Sequence, residues 1–444
     1  MRVVSGDIAL MSRGAEPPAL NLEGLYRDES GRVLATLIRL LGDFDLAEEA
    51  MQEAFLAALR HWPHEGSPEQ PTAWLITTAR RKALDHLRRR TWLVARRHTL
   101  EHLEALECLG VSDETDEDMH DDALRLIFTC CHPALATEAQ VALTLRTVCG
   151  LSTEEISHAF LVPVATLAQR LVRAKQKIRE AAIPYRVPPR EKLPDRLKAV
   201  MLVIYLVFNE GYAASSGEAR VRRALCAEAI RLGRHLAKLT PHEPEVRALL
   251  ALMLLHDSRR DARVDLQGDI VLLDDQDRSR WDHPQIQEGL ELVESALRAR
   301  VPPGSYALQA AIAALHAQAA RASDTDWRQI ADLYERLMRI TDSPVVKLNH
   351  AVAVGMAEGP ARGLELLNAF AVREELGHYH VFPATRADLL YRLERWDDAA
   401  GAYRQALALT TNEAEQRFLR RRLSETEARV ATRGAGEGDR DARR

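Results

Sequence analysis

Cysteine, aromatic residues and long apolar runs are all scarce in this chain of 444 residues. Its five cysteines are an odd set without a CxxC pair, which argues against a disulfide framework and for the reducing cytoplasm. The longest strongly apolar run, from Val200 to Phe208, is much shorter than the roughly 20 residues that a membrane-spanning helix needs. We therefore expect no membrane association and interpret this run as a buried helix.

Aromatic residues make up only 5% of the chain, whereas hydrophobic residues in total make up 46%. Alanine, leucine and arginine dominate, and these residue types favour helix over strand. The net charge of −5 does not suggest a DNA-binding protein, but opposite charges are segregated along the chain. Because local patches matter more for binding than the average charge, nucleic acid is not excluded as a partner. The composition predicts an all-α protein.

Charge runs and prolines divide the chain into two small helical domains and a larger one. Residues 113–122 include seven acidic residues and no lysine or arginine, a composition typical of a solvated linker. A second boundary is the stretch from Pro184 to Pro194. The predicted divisions are disordered ends at 1–19 and 431–444, helical domains at 20–97 and 123–183, an acidic flexible linker at 98–122, and a helical-repeat domain at 190–430.

Residues 151–179 have the pattern of a helix-turn-helix. Ser152 and Glu155 have the spacing of a capping box at the start of a short first helix. A turn at 161–163 leads to a second helix with an apolar stripe at helical spacing. The positions predicted to face inward on the second helix are Val164, Leu167, Leu171 and Ala174. An ordinary helical hairpin with a solvated basic face is the alternative interpretation.

A helix-turn-helix places the start of its second helix in the DNA major groove, where polar side chains contact base edges and later cations contact phosphates. The outward-facing candidates for this role are Thr166, Gln169, Arg170, Arg173 and Lys177. Double-stranded DNA is thus the partner that this segment predicts.

A second basic helix lies upstream, between Pro71 and Arg97. Eight of the eighteen residues from Arg80 onward are lysine or arginine, which suits contacts to a phosphate backbone. Its candidate contacts are Arg80, Arg81, Lys82, Arg88 and Arg89. Trp74 could stack on an exposed base, although a tryptophan at an apolar helical position is more often part of the core.

An acidic helix precedes the basic one, over residues 45–62. Its outer side carries Glu48, Glu49, Gln52 and Glu53. An acidic face is poorly suited to DNA and well suited to a basic protein partner, whereas a merely solvated face is the alternative.

The order of these three segments resembles the two domains of extracytoplasmic-function (ECF) sigma factors. The acidic helix is similar to the helix of that family that binds core RNA polymerase, and the resemblance adds Phe55 to Glu49, Gln52 and Glu53 as matching positions. By the same resemblance, the basic helix would bind the melted −10 strand, the loop Pro63–Pro71 would capture a flipped base, and the helix-turn-helix would read the −35 element. Leu161 departs from the glycine that is common in the family's turn.

The region beyond residue 185 resembles the long tetratricopeptide-like extension of one ECF subfamily. Residues 383–411 place small and aromatic residues where such repeats pack them. These positions are Ala387, Leu390, Ala399, Tyr403 and Ala406. Helical repeats present a concave surface, so a protein or peptide partner is expected there, together with a regulatory role that the resemblance implies.

Two clusters of potential metal ligands have simpler explanations. The aspartates between Asp257 and Asp282 alternate with arginines around a turn at 266–269, which favours an ion-paired surface hairpin. Cys130 and Cys131 lack a second ligand pair at zinc-site spacing, which favours buried thiols. The sequence therefore predicts no metal, no cofactor and no catalytic group.

Three functions compete at this point. The first is a sigma factor that binds core RNA polymerase and initiates transcription at specific promoters. The second is a stand-alone helix-turn-helix regulator with a protein-binding repeat domain, which leaves the acidic helix unexplained. The third is an enzyme on a repeat scaffold, which depends only on the aspartate-rich hairpin.

Overall fold

The computed structural model describes residues 22–93, 116–160, 162–189, 191–213, 219–265, 269–370, 379–410 and 412–441. Within these residues the regular secondary structure is helical, apart from one isolated antiparallel bridge between Val264 and Ile270. The all-α prediction is therefore confirmed. None of the described helices has the length and apolarity needed to span a bilayer.

The helices fall into two groups along the sequence. In the N-terminal part they are α1 (Leu22–Leu41), α2 (Phe44–Glu65), α3 (Pro71–Leu93), α4 (Asp116–Cys130), α5 (Thr137–Thr147), α6 (Thr153–Phe160) and α7 (Val164–Glu180). In the C-terminal part they are α8 (Leu193–Ala213), α9 (Ala219–Leu239), α10 (Pro244–Asp257), α11 (His283–Leu297), α12 (Ser305–Gln318), α13 (Trp327–Ile340), α14 (Pro344–Glu358), α15 (Pro360–Phe370), α16 (Val381–Arg392), α17 (Trp396–Leu409) and α18 (Glu413–Asp441).

The described residues form two compact units. The first unit takes in those up to Ile156 and those between 165 and 190. The second takes in residues 157–164 and those from 191 onward. Each unit has its own core and is considered separately below.

Helix α1 lies at the centre of the first unit. Its residues Val33, Leu34, Ala35, Thr36, Leu37 and Ile38 are each at most 3% exposed. Six consecutive buried residues cover every side of a helix that has 3.6 residues per turn. The neighbours of α1 are α2 and α3 from the predicted first domain, and α4 and α5 from the second. The two predicted domains therefore share one core.

A buried carboxylate fixes α4 against α1. Asp122 has no exposed surface and accepts hydrogen bonds from Arg39 Nε of α1 at 2.7 Å and from Arg125 Nη1 at 2.7 Å. The Tyr185 hydroxyl lies 2.7 Å from the carbonyl oxygen of Ala35 and 3.0 Å from that of Asp122, so it can donate to either. A charge buried without partners would cost several kcal/mol, so this set of contacts holds the two helices in one register.

Helix α4 begins at Asp116, inside the acidic segment that the sequence predicts as a flexible linker. Acidic side chains in the first turn of a helix interact favourably with the positive end of its dipole, and the partners of Asp122 anchor the second turn. Net acidity therefore does not keep residues 116–122 out of a helix. Residues 98–115 of the predicted linker, like the predicted disordered end at 1–19, lie outside the described residues.

The contact between α1 and the end of α5 depends on a glycine. A Cβ atom built on Gly31 would overlap the carbonyl oxygen of Val148, a backbone atom that cannot rotate away. Any larger residue at Gly31 would therefore push these two segments apart.

We expect Gly31→Ala to lower the free energy of unfolding of the first unit by about 1–3 kcal/mol, because overpacking at a backbone contact must shift a helix. Thermal unfolding of the full chain measures this effect. Gly401→Ala is the control, because a Cβ there meets nothing within 4 Å and should be neutral or slightly stabilising. Equal unfolding temperatures for both variants would contradict the close contact at Gly31.

In the second unit most helices pack mainly on their neighbours in sequence, and α12 also packs closely on α10. This pattern is typical of helical-repeat arrays, in which every repeat buries its apolar face against the next one. The predicted packing positions Ala387, Leu390, Ala399, Tyr403 and Ala406 are all at most 2% exposed and form one cluster. The run from Val200 to Phe208 lies within α8 and is largely buried, which confirms its interpretation as a buried helix.

The aspartate-rich segment forms the expected hairpin. Asp265 N donates to the Asp269 carbonyl at 3.0 Å, and Val271 N donates to the Arg263 carbonyl at 2.9 Å. Arg417 of α18 pairs with the Asp269 carboxylate at 2.6 Å, so the turn is tied to the final helix by an ion pair. Residues 266–268 at its tip lie outside the described residues.

The C-terminal segment differs from the prediction of a disordered end at 431–444. Helix α18 continues to Asp441. Its earlier turns are anchored by Leu419, which is 2% exposed, and adding residues to an existing helix costs little where no proline interrupts it.

Cys130 and Cys131 are buried thiols, as the sequence suggests. The Thr147 hydroxyl lies 3.2 Å from the sulfur of Cys130, and the Thr144 hydroxyl lies 3.6 Å from that of Cys131. Burial raises the pKa of the Cys130 thiol, which keeps it protonated and unreactive.

The second unit contains a histidine that resists protonation. Burial, followed by the nearby Arg259 and Arg278, lowers the pKa of His316 to about 4. An unfolded histidine has a pKa near 6.5, so protonation favours the unfolded chain. The stability contributed by neutral His316 is thus complete above about pH 6.5 and declines as the pH falls towards 4.

We expect the unfolding temperature of the second unit to fall between pH 6.5 and 4, and His316→Phe to reduce this decline. Phenylalanine can keep the edge contact with Trp327, whose ring centroid is 5.1 Å from that of His316, but it cannot bind a proton. Thermal melts followed by circular dichroism across this pH range measure the difference. Parallel pH curves for the two proteins would show that His316 is not responsible.

Candidate functional site

Helix α2 presents an exposed face on which polar side chains are followed by two leucines. Glu49 and Gln52 are exposed, as predicted, and Glu53 is half-buried. Leu56 and Leu59, one to two turns further along the helix, are 51% and 53% exposed. Exposed leucines next to carboxylates are typical of a protein-binding surface rather than of a merely solvated face.

Phe55 does not belong to this exposed face. It is 7% exposed and packs edge-on against Tyr26 of α1, with ring centroids 4.9 Å apart. Its position on the helix directs Phe55 into the core, and its role as a polymerase contact stays a prediction. The sequence did not single out Leu56 and Leu59, although their apolar side chains fall off the buried stripe of α2.

The cationic side chains of the basic helix α3 lie in several different environments. Arg81 and Arg88 are exposed, and Arg88 Nη1 lies 3.6 Å from the Asp85 carboxylate on the same helix. Lys82 lies 3.9 Å from Glu53 of α2, and His86 Nε2 lies 2.8 Å from the same carboxylate. The acidic face of α2 thus adjoins the basic helix and partly neutralises it.

Arg80 is largely buried, so its contact with DNA stays a prediction. Its side chain is only 8% exposed, because it follows Leu75, Ile76 and Ala79 on the buried side of α3. Helical spacing places Arg80 one turn after Ile76, so the core rather than the solvent surrounds it. The side chain of Arg89 lies outside the described residues.

Trp74 has a mixed environment. Its ring packs edge-on against Trp62, with centroids 5.2 Å apart, and Trp62 is 3% exposed. Trp74 itself is half-buried, so part of its ring remains accessible beside the loop that precedes α3. Helix α2 extends to Glu65, so this loop is shorter than the predicted Pro63–Pro71 segment, and it is exposed except at half-buried Pro68.

The predicted capping box is present at the start of α6. The Ser152 backbone N–H donates to the Glu155 carboxylate at 2.8 Å, and the Glu155 N–H donates to the Ser152 hydroxyl at 3.1 Å. These reciprocal bonds satisfy two backbone donors and fix where the helix begins. Helix α6 ends at Phe160 and α7 begins at Val164, so the helix, turn and helix follow in the predicted order, with Leu161 outside the described residues.

Helix α7 presents its predicted DNA-reading residues together. Thr166, Gln169, Arg173 and Lys177 are exposed, and Arg170 is half-buried. All five line one shallow groove of about 380 Å³, whose opposite wall is formed by residues 134–139 at the start of α5. A row of this kind, with a hydroxyl and an amide followed by three cations, can donate to base edges and phosphates.

The inward face of α7 matches the prediction at three of its four positions. Leu167, Leu171 and Ala174 are at most 7% exposed, and Ile178 continues the stripe. Val164 is 44% exposed instead, because it is the first residue of the helix and lies before the buried stripe begins.

A third side of α7 contacts α2 within the first unit. Lys175 Nζ lies 2.7 Å from Glu48 Oε2 and 3.5 Å from Asp45 Oδ1. Arg179, one turn later, lies 2.9 Å from Asp45 Oδ2. Glu48 is therefore not on the free face of α2 as predicted, because Lys175 already binds it.

Models of known families match both parts of this unit. The model described as Sigma-70 region 2 matches residues 25–93, and the model described as Sigma-70, region 4 matches residues 125–178. The "Probable ECF RNA polymerase sigma factor SigI" of Mycobacterium tuberculosis is 29% identical over 168 residues, which are 37% of this chain and 56% of that protein. The chain therefore contains both sigma-70 domains and is similar to ECF sigma factors across them. Its region 2 domain thus comprises α1–α3, and its region 4 domain comprises α4–α7.

Two further relatives differ in how much of this chain they match. The "RNA polymerase sigma-H factor" of Pseudomonas aeruginosa is 27% identical over 170 residues, 34% of this chain and 81% of that protein. "Uncharacterized protein R00370" of Rhizobium meliloti is 44% identical over 410 residues, 90% of this chain and 95% of that protein, so its likeness includes the C-terminal unit. Residues 196–297 match the "Family of unknown function (DUF6596)".

We expect Lys175→Glu to loosen the contact between the region 2 and region 4 domains, because it places a negative charge against Glu48 and Asp45. Hydrogen exchange of backbone amides in α4 should accelerate a few-fold to about tenfold, since partly buried ion pairs contribute on the order of 1 kcal/mol. Combining it with Glu48→Lys should restore much of the protection.

Lys177→Glu provides the control for this prediction, because Lys177 is exposed on the groove side of α7 and forms no ion pair among the described residues. Loss of protection of the same size in Lys177→Glu would attribute the effect to net charge instead of to the Lys175 contact.

Proposed function

We propose that this protein is an ECF sigma factor that binds core RNA polymerase and directs promoter-specific initiation of transcription. The two sigma-70 domains, the likeness to ECF sigma factors and the grouping of five predicted DNA-reading residues along one groove support the proposal. The chemistry of RNA synthesis belongs to the polymerase, so the chain acts by binding alone.

In this proposal the two sigma domains have separate partners. The exposed face of α2, with Glu49, Gln52 and Leu56, binds core polymerase. Arg81 and Arg88 of α3 contact the melted −10 strand. The groove on α7 binds the double-stranded −35 element.

The two domains must separate before they can bind both elements. Sites centred near −10 and −35 are about 25 base pairs apart, or ~85 Å at ~3.4 Å per base pair. A compact unit of about 165 residues has a radius of gyration of only ~15 Å. Two domains that share a core are too close together to span this distance, so the described contact corresponds to a state that is not engaged with a promoter.

Opening would break the ion pairs between α7 and α2 and the hydrogen bond between Arg39 and the buried carboxylate of Asp122. Lys175 and Arg179 would release Glu48 and Asp45, and α4 would leave Arg39 of α1. Glu48 then becomes available on the α2 face, where the sequence resemblance places the polymerase contact. We further propose that the C-terminal unit regulates this step.

In vitro transcription with bacterial core polymerase on genomic promoter fragments tests the proposal. The intact chain and a form that ends at residue 189, which retains Tyr185, should be compared. Promoter-specific transcripts from the short form alone would assign an inhibitory role to the C-terminal unit, and transcripts from the intact form alone would assign an activating role. If neither form binds core polymerase while both bind DNA, the stand-alone regulator is the correct alternative.

Single substitutions test the two surfaces separately. Arg173→Ala should reduce promoter-specific transcription about 5- to 100-fold, because a good base or phosphate contact contributes roughly 1–3 kcal/mol. Leu56→Asp should weaken binding to core polymerase without changing DNA binding. Gln176→Ala is the control on α7, because Gln176 is exposed outside the groove and bonds only to Glu180 among the described residues.

A further inference from the structure

The C-terminal unit contains a cavity that the proposed sigma activity does not use. Its volume is about 520 Å³, and its lining comes from α8, α10, α12, α13 and α14 together with the loop between α10 and α11. Ligand sites for small molecules typically have volumes of ~300–1,000 Å³. The cavity is thus large enough for a compact organic molecule and is formed by the packing of five separate helices.

The lining of the cavity is mostly apolar and includes aromatic rings. Leu252, Leu255 and Ile312 are at most 6% exposed and form part of its wall. Tyr205 and Trp281 add aromatic surface. Surfaces of this kind bind the apolar body of a ligand through burial and ring contacts.

One charged side chain lies in this apolar wall. Arg259 is the only fully charged residue among the described residues that line the cavity, and none of them is an aspartate or glutamate. Its Nη2 donates to the Tyr212 hydroxyl at 3.0 Å and to His256 Nδ1 at 3.0 Å, both of which are neutral acceptors. No carboxylate of the described residues pairs with this guanidinium.

The remaining donors of Arg259 are unused within the described part of the chain. A guanidinium has five N–H groups, of which Nε and Nη1 carry three. These three find no acceptor among the described residues, although the side chain is only half-buried at the cavity wall. Arginine donors in this arrangement match the two oxygens of a carboxylate.

Positive charge also acts on the two histidines that line the cavity. Arg259 lowers the pKa of both His256 and His316, which line the cavity, in addition to the larger effect of burial. Both imidazoles are therefore neutral near pH 7, and the potential that disfavours their protonation favours an anion.

We propose that this cavity binds a small organic carboxylate, whose two oxygens accept hydrogen bonds from Arg259 and whose aromatic or branched apolar body lies against the leucine, isoleucine and aromatic wall. A free acid suits the site better than an extended peptide, since the lining converges from five helices around a compact volume. The ligand is expected to bind the full chain in the absence of polymerase and DNA, so this proposal goes beyond the sigma activity and is tested independently of it.

Calorimetric titration of the full-length protein with 1-naphthoate tests the proposal, and benzoate and indole-3-acetate serve as acids with smaller and differently shaped bodies. At least one of these acids should bind with a stoichiometry of one. The matching neutral amide of the acid that binds should bind at least about tenfold more weakly, because it removes a charge-assisted interaction. This comparison requires no substitution in the protein.

Two substitutions locate the site. Arg259→Gln should weaken binding of the acid about tenfold or more and should bring its affinity close to that of the amide. Ala317→Phe should abolish binding of both compounds, because the larger side chain fills the cavity that Ala317 lines. Thermal unfolding of each variant verifies that the second unit remains folded.

Arg339→Gln is the matched control. Arg339 lies on α13, as does the cavity residue Tyr334, but it is exposed and pairs with Glu335 at 2.8 Å outside the cavity. It should leave the affinity unchanged. Equal affinities for acid and amide, an unchanged affinity in Arg259→Gln, or no binding of any of the three acids at millimolar concentration would each overturn the proposal.

Discussion

Burial of residues 33–38 of α1 on all sides is the constraint on which the first unit depends. A helical segment without a solvent-facing side must have packing partners around its whole circumference, and α1 obtains them from both sigma domains. The close approach at Gly31 and the paired carboxylate of Asp122 follow from this requirement. If the region 4 domain leaves, one side of α1 becomes exposed apolar surface.

Three sides of the short helix α7 lie in different environments. Its apolar stripe at Leu167 and Leu171 belongs to the core, its row from Thr166 to Lys177 lines the groove, and Lys175 binds Glu48. These roles fall on different sides because helical residues three or four apart share a face, whereas their immediate neighbours do not. Lys175 and Lys177 therefore have different environments although they are two residues apart.

Features that depend on local sequence could be predicted, and features that depend on distant contacts could not. The capping box at Ser152, the buried run from Val200 to Phe208 and the repeat position at Tyr403 involve residues within one or two helices, so spacing alone identifies them. The burial of Arg80 and Phe55 could not be predicted, because residue type and likeness to a family motif do not show how far a buried stripe extends around a helix. The pairing of Lys175 with Glu48 joins residues 127 positions apart and has no signal in either segment.

If the protein binds core polymerase through α2 as proposed, the ion pair at Glu48 would make closure of the two sigma domains and binding of polymerase competing equilibria. If polymerase binds only the open form, its apparent dissociation constant is the intrinsic constant divided by the open fraction. A closed form favoured by about 2.8 kcal/mol would thus raise the polymerase concentration needed for half-saturation about 100-fold. Any change that stabilises or weakens this one contact would then shift the share of polymerase that the protein binds in competition with other sigma factors. Such a change need not alter any residue proposed to contact DNA.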